Sequence, residues 1–97
     1  MISNQKISEE TVLAQAKGNI VSDMGGEKVM LSVNRGKYYN LGEIGGEIWD
    51  LMSKPISVKH LVDHLTLIFD VEHKECEEQV IEFVENLAKE GLIVVAN

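Results

Sequence analysis

Between Gly36 and Met52 a short extended segment passes into a helix with almost no loop, and this junction constrains the fold more than any other feature of the chain. Lys37-Tyr38-Tyr39-Asn40-Leu41 reads as a strand, since adjacent aromatic side chains pack well on a pleated surface. Ile44, Ile48, Leu51 and Met52 then recur at helical spacing around the only tryptophan, Trp49. Asn40 is placed to cap that helix, with Glu43 three residues later to close a capping box. No catalytic group is needed to explain the segment. It reads as a scaffold for a strand edge, and a strand edge can serve as a binding site.

The chain ahead of this junction reads as strands. Residues 11–16 and 20–23 are candidates, separated by a turn at Lys17-Gly18-Asn19. Met24-Gly25-Gly26 is a tight-turn signal, and 28–33 then alternate, with Val29, Leu31 and Val33 on one face. Asn34-Arg35-Gly36 turns the chain into 37–41, closing an antiparallel meander. Behind the junction come helices. The first spans 43–52 and is broken by Ser53-Lys54-Pro55-Ile56. Ser57 caps the second, whose Leu61, Val62, Leu65, Ile68 and Phe69 form an apolar face. The third runs from about His73 to Glu90 and stops at Gly91, with 92–95 as a short final strand. The expectation is an α+β fold, a small antiparallel three-stranded sheet followed by three helices, winged-helix-like in outline. Residues 1–97 read as a single domain with 1–10 flexible.

The third helix is apolar over more of its circumference than docking on one neighbour requires. Projected at about 100° per residue, Phe83, Cys76, Leu87, Val80, Val84, Ala88 and Ile81 cover an arc of roughly 160°, against a usual stripe of about 100°. A helix packed centrally against the sheet and both other helices would explain the excess. A margin formed by Cys76 and Phe83, beside neutral Gln79 and Asn86, would equally line a groove next to a strand edge. Both explanations can hold together.

Several function classes are excluded by what the sequence lacks. His73 and Cys76 lie one helical turn apart, and His60 and His64 likewise, but neither pair gains the third ligand that a zinc site needs, so no metal is expected. The glycines form no phosphate loop, and no nucleophile motif organises the serines and histidines, so the chain is not expected to be an enzyme and needs no cofactor. A winged-helix outline suggests DNA binding, but the third helix carries Glu72, Glu75, Glu77, Glu78, Glu82, Glu85 and Glu90 against Lys74 and Lys89. That helix, in a chain of net charge −7, would be repelled by phosphates, so neither nucleic acid nor an anionic membrane is an expected partner. The polar N-terminus, the absence of a long apolar run and the single cysteine point to a cytoplasmic protein.

The order of short strands, Gly-Lys-Tyr-Tyr-Asn-Leu, Ile-Trp-Asp-Leu-Met, a Ser-capped helix and Val80-Ile81-Glu82-Phe83-Val84-Glu85-Asn86-Leu87 ending in Gly91-Leu92-Ile93 resembles the PqqD family. These are peptide-recognition domains (RiPP recognition elements) of pathways that modify ribosomally made peptides. The resemblance covers roughly residues 19 to 95 and is nearest to the free-standing leader-binding proteins of lasso-peptide biosynthesis. It implies a non-catalytic adaptor. The leader of a precursor peptide would add as an antiparallel strand to the third strand, Lys37, Tyr38, Tyr39 and Asn40, in a groove walled by the third helix at Cys76, Gln79, Val80, Phe83 and Leu87. The partners so implied are the precursor leader, a maturation protease and a cyclase. Backbone pairing of this kind gives sequence-tolerant affinity, and pockets for alternate side chains give specificity.

Two points stay open in the sequence. A strand at 11–16 or at 92–95 would, if paired to the meander, cover the assigned edge and leave 28–33 as the alternative. Alternation sends Tyr38 and Tyr39 to opposite faces without saying which faces a ligand. A second functional class, a winged-helix interaction or regulatory domain outside peptide modification, fits the same residues with a different partner.

Overall fold

Strand propensity and helical periodicity resolve, in the computed structural model, into two antiparallel three-stranded sheets and three helices; residues 7–96 are described. The chain runs β1 (Val12–Gln15), β2 (Asn19–Met24), β3 (Glu27–Ser32), β4 (Lys37–Leu41), α1 (Gly42–Leu51), β5 (Ile56–Ser57), α2 (Val58–Ile68), α3 (His73–Lys89) and β6 (Ile93–Ala96). Of the ten residues expected to be flexible, 1–6 lie outside the described residues. Ile7 packs into the core, and the Glu9 carbonyl accepts the Lys59 N–H at 2.9 Å.

The meander forms as its turns dictate. Gly25, Gly26 and Gly36 all take positive φ, a conformation that glycine adopts without steric cost, and β2-β3-β4 pair in that order. The outer strands 11–16 and 92–95 do not join it. They pair with each other, as Leu13↔Val95 and Ala14↔Val94, and β5 completes a second sheet in the order β5-β1-β6. The two-residue β5 falls where the sequence offered only a helix breaker and a cap. It is held because the Thr11 carbonyl accepts the Val58 N–H at 3.0 Å. β3 is therefore paired on both sides, which removes 28–33 as a docking edge, while β4 keeps its outer side unpaired among the described residues.

The helix ends follow local chemistry, with one correction. Ser57 caps α2 as expected, its hydroxyl accepting the His60 N–H at 3.1 Å. At the end of α3 the Leu92 N–H reaches the Leu87 carbonyl at 2.9 Å and the Gly91 N–H reaches Ala88 at 3.0 Å, a Schellman closure with Gly91 at φ +74. Asn40 does not cap α1, and the capping box with Glu43 is not formed. The strand runs one residue further, Leu41 takes the cap position without a side-chain bond, and Gly42 turns the chain at φ +75. Asn40 instead accepts the Gly42 N–H at 2.9 Å and donates to Glu27 at 3.1 Å, so its amide ties the strand end to the neighbouring hairpin.

One apolar core unites the elements. It takes Leu13 from β1, Met30 from β3, Ile48 and Trp49 from α1, Leu61 and Leu65 from α2, and Val80, Val84 and Leu87 from α3. The buried face of α1 differs from the expected stripe. Ile48 and Met52 are buried, but Ile44 is 44% exposed, and Gly45 and Gly46 carry the closest contacts instead. A Cβ on Gly46 would meet the Lys28 stem at 2.9 Å. Lys28, lying across that glycine, ends between Asp23 at 2.8 Å and Asp50 at 3.4 Å, which ties α1 to the meander.

Candidate functional site

An open groove of about 320 Å³ lies where β4 ends, between α1 and the N-terminal half of α3. Leu41 from β4 and Ile44, Gly45 and Ile48 from α1 form one wall. Cys76, Gln79, Val80 and Phe83 from α3 form the other, at the i, i+3, i+4, i+7 spacing that puts them on one face. Leu65, Phe69 and Val71 close the far end, and Glu75 stands there as the only carboxylate of the lining. The depth of the groove depends on Gly45, because a Cβ at that position would lie 2.9 Å from Cζ of Phe83.

The nine residues singled out from the sequence separate into three groups. Cys76, Gln79, Val80 and Phe83 all line the groove. Leu87 does not; it is buried in the core one turn further along the helix from Phe83. Lys37, Tyr38, Tyr39 and Asn40 form the edge strand that leads to the groove rather than the groove itself. The α1 wall, with Phe69, Val71 and Glu75, was not anticipated. Its one available signal was the Gly45-Gly46 pair inside a helix, where missing side chains mark a close approach.

The two tyrosines divide as alternation requires. Tyr38 is 74% exposed, whereas Tyr39 turns inward and donates its hydroxyl to Glu90 Oε1 at 2.8 Å. Arg35 reaches the same carboxylate oxygen at 3.3 Å. The hairpin and β4 are thereby pinned to the C-terminal end of α3, which fixes the spacing between edge strand and helix. The hydrogen bond from Tyr39 holds the Glu90 carboxyl below its ordinary 4.5, with Arg35, Lys37 and Lys89 adding to the effect against partial burial. The same bond, with burial and the Glu90 charge, raises the Tyr39 phenol above 10.0.

The sign of each shift defines a pH window. A depressed carboxyl contributes stability above its unfolded value and loses it as pH falls through the folded one. A raised phenol contributes below its unfolded value and loses it as pH rises through the folded one. Tyr39→Phe is therefore expected to weaken the protein between about pH 5 and 9 and to flatten both limbs of its stability–pH profile. Urea titrations of both proteins from about pH 3 to about pH 11 check it; superimposed profiles would mean that the bond contributes nothing.

Burial raises the Cys76 thiol, and in the lining Cys76 presents a small apolar group. His64 approaches Glu47 at 3.7 Å and His73 approaches Asp63 at 3.7 Å, outside the groove. Among the described residues no three His, Cys, Asp or Glu side chains gather as a metal site, and no helix is long and apolar enough to cross a membrane.

The family model for coenzyme PQQ synthesis protein D (PqqD) matches residues 27–93, well over half the chain. The chain belongs to the PqqD family. The matched stretch contains β3, β4, all three helices and every residue lining the groove, and leaves out β1 and β2. No curated protein sequence matches the chain. Three solved structures share the fold of this PqqD family member. TbiB1, solved in complex with the TbiA(beta) leader peptide, is 22% identical over 82% of this chain and 93% of its own, with a TM-score of 0.75. A lasso peptide synthetase B1 complexed with the leader peptide is 20% identical over 84% of this chain and 96% of its own, with a TM-score of 0.74. The PqqD truncation of Methylobacterium extorquens PqqCD, described as a stand-alone RiPP recognition element, is 14% identical over 91% of this chain and 94% of its own, with a TM-score of 0.77.

Proposed function

We propose that residues 1–97 act as one peptide-binding domain, a non-catalytic adaptor for the leader of a ribosomally made precursor. The leader adds as a strand to the outer side of β4 and sends apolar side chains into the groove against α3. The adaptor, working in the cytoplasm, presents that precursor to the maturation protease and cyclase of a lasso-peptide pathway. The observation that carries the reading is the unpaired edge of β4 running directly into an apolar groove. An unpaired strand offers backbone donors and acceptors to any extended chain, and an adjacent pocket restricts which chain fits. Two solved proteins of the same fold are complexes with leader peptides, which supports the assignment of the ligand.

The test is direct. The purified protein is mixed with its precursor peptide, and mass and binding are followed together. Saturable binding that requires the leader, with the mass unchanged, is expected. Cleavage or cyclisation by this protein alone, or no binding, would sink the reading. Within the site, Phe83→Ala is expected to weaken leader binding by about 2 kcal/mol, roughly thirtyfold, because it removes an aromatic anchor from the groove wall. Glu85→Ala, on the exposed side of the same helix, should leave affinity close to wild type. Equal affinities in two folded variants would take Phe83 out of the site.

A further inference from the structure

We infer that Glu75 makes the groove selective for peptides carrying a basic residue on the N-terminal side of their apolar anchors, an inference that rests on the adaptor reading above. The direction comes from the topology. β4 runs from Lys37 to Leu41 and meets the groove at its Leu41 end. A peptide antiparallel to β4 therefore leaves the groove as it enters the strand, so the groove holds the part that precedes the paired segment.

The spacing comes from α3. The groove wall extends from Phe83, beside Leu41 and Gly45, to Glu75 near Val71 at the far end. Eight residues of α-helix separate the two, about 12 Å at 1.5 Å per residue. An extended peptide covers that distance in roughly three to four residues. The side chain that reaches Glu75 thus sits three to four positions before the one lodged against Phe83.

The charge comes from the lining. Its walls are apolar apart from the neutral amide of Gln79, and Glu75 is the only charged side chain in it, with no lysine, arginine or histidine. Among the described residues Glu75 has no ion-pair partner, whereas Lys28, Arg35 and Lys59 are each engaged with carboxylates elsewhere. A basic side chain at the far end would gain an unshared carboxylate, and an acidic one would meet repulsion reinforced by the net charge of −7.

A display library of random twelve-residue peptides, panned on wild type, Glu75→Gln and Glu75→Lys, tests the inference. Wild type should enrich apolar anchors with lysine or arginine three to four positions before them. Glu75→Gln should keep the anchors and lose the charge preference, and Glu75→Lys should favour aspartate or glutamate there. For a synthetic pair differing only as Lys or Glu at that position, the affinity ratio should be about two- to fivefold for wild type, shrink with added salt and invert in Glu75→Lys. Anchors enriched with the same charge preference in all three proteins, or with none, would overturn the role of Glu75 and leave the adaptor reading standing. A basic preference on the C-terminal side of the anchors would overturn the inferred direction. No enrichment by wild type would overturn the adaptor reading and this inference with it.

Discussion

Leu61→Ala is expected to lower the unfolding free energy by about 2–5 kcal/mol, the usual cost of truncating a fully buried leucine. Leu61 is 0% exposed on α2 and belongs to the core that also holds Leu65, Val80 and Val84. Its loss removes packing from the helix against which α3, one wall of the groove, rests. A domain of this size is generally stable by about 5–15 kcal/mol, so the variant should sit near the edge of folding. The sole tryptophan, Trp49, is 4% exposed and reports the transition through its emission as urea is raised. Leu67→Ala on the same helix is the control, because Leu67 is 86% exposed and its truncation should change stability by no more than about 0.5 kcal/mol. Equal midpoints for the two variants would show that the core is not organised around α2.

The second large effect concerns the β4 backbone, which side-chain scanning cannot reach. Along an edge strand successive N–H groups point alternately to the paired neighbour and to the open side. Tyr38 and Tyr39 are adjacent, so one N–H bonds toward β3 and the other is free for an added strand. Proline removes the donor and fixes φ. At the outward-facing position it should leave the fold intact and reduce leader affinity by roughly two- to tenfold, the worth of one ladder bond, or more where the ring clashes. At its neighbour it should break the β3–β4 ladder and unfold the meander. Alanine at each position separates side-chain loss from backbone loss. Amide exchange gives the same answer without mutation, as leader-induced protection concentrated in residues 37–41. Protection confined to β2, the other edge of the meander, would mean that the wrong strand had been assigned.

Much of this architecture was legible because it rests on local rules. Glycines at 25, 26 and 36 set the turns of the meander, Ser57 and Gly91 mark helix ends, and the apolar period of α3 identifies Cys76, Val80 and Phe83 of the groove, with neutral Gln79 beside them. What escaped was decided by tertiary contact. Nothing local reveals that β1 and β6 pair with each other rather than with the meander, because strand partners are chosen by burial of Leu13 and Ile93 in the common core. Asn40 has the side chain of a helix cap, but Gly42 at positive φ offered its N–H first. The α1 wall was missed for a related reason. Periodicity detects side chains that fill space, and the decisive residues there, Gly45 and Gly46, act by leaving it empty.

The absence of a loop between Leu41 and Gly42 has a further consequence. Because β4 is continuous with α1, the strand edge and the groove cannot slide relative to one another, and Tyr39 and Arg35 fasten both to the end of α3. A peptide bound as proposed would therefore meet two contact sites at a fixed separation, like a rod held in two clamps. Each clamp would raise the local concentration of the peptide at the other, so that two weak contacts would act as one strong one. The gain survives only if the peptide's own spacing matches. One residue inserted between its paired segment and its anchors would turn every following side chain to the wrong face of the strand, and a second would restore the face but overshoot the groove. The protein would thus measure length within its ligand as well as composition.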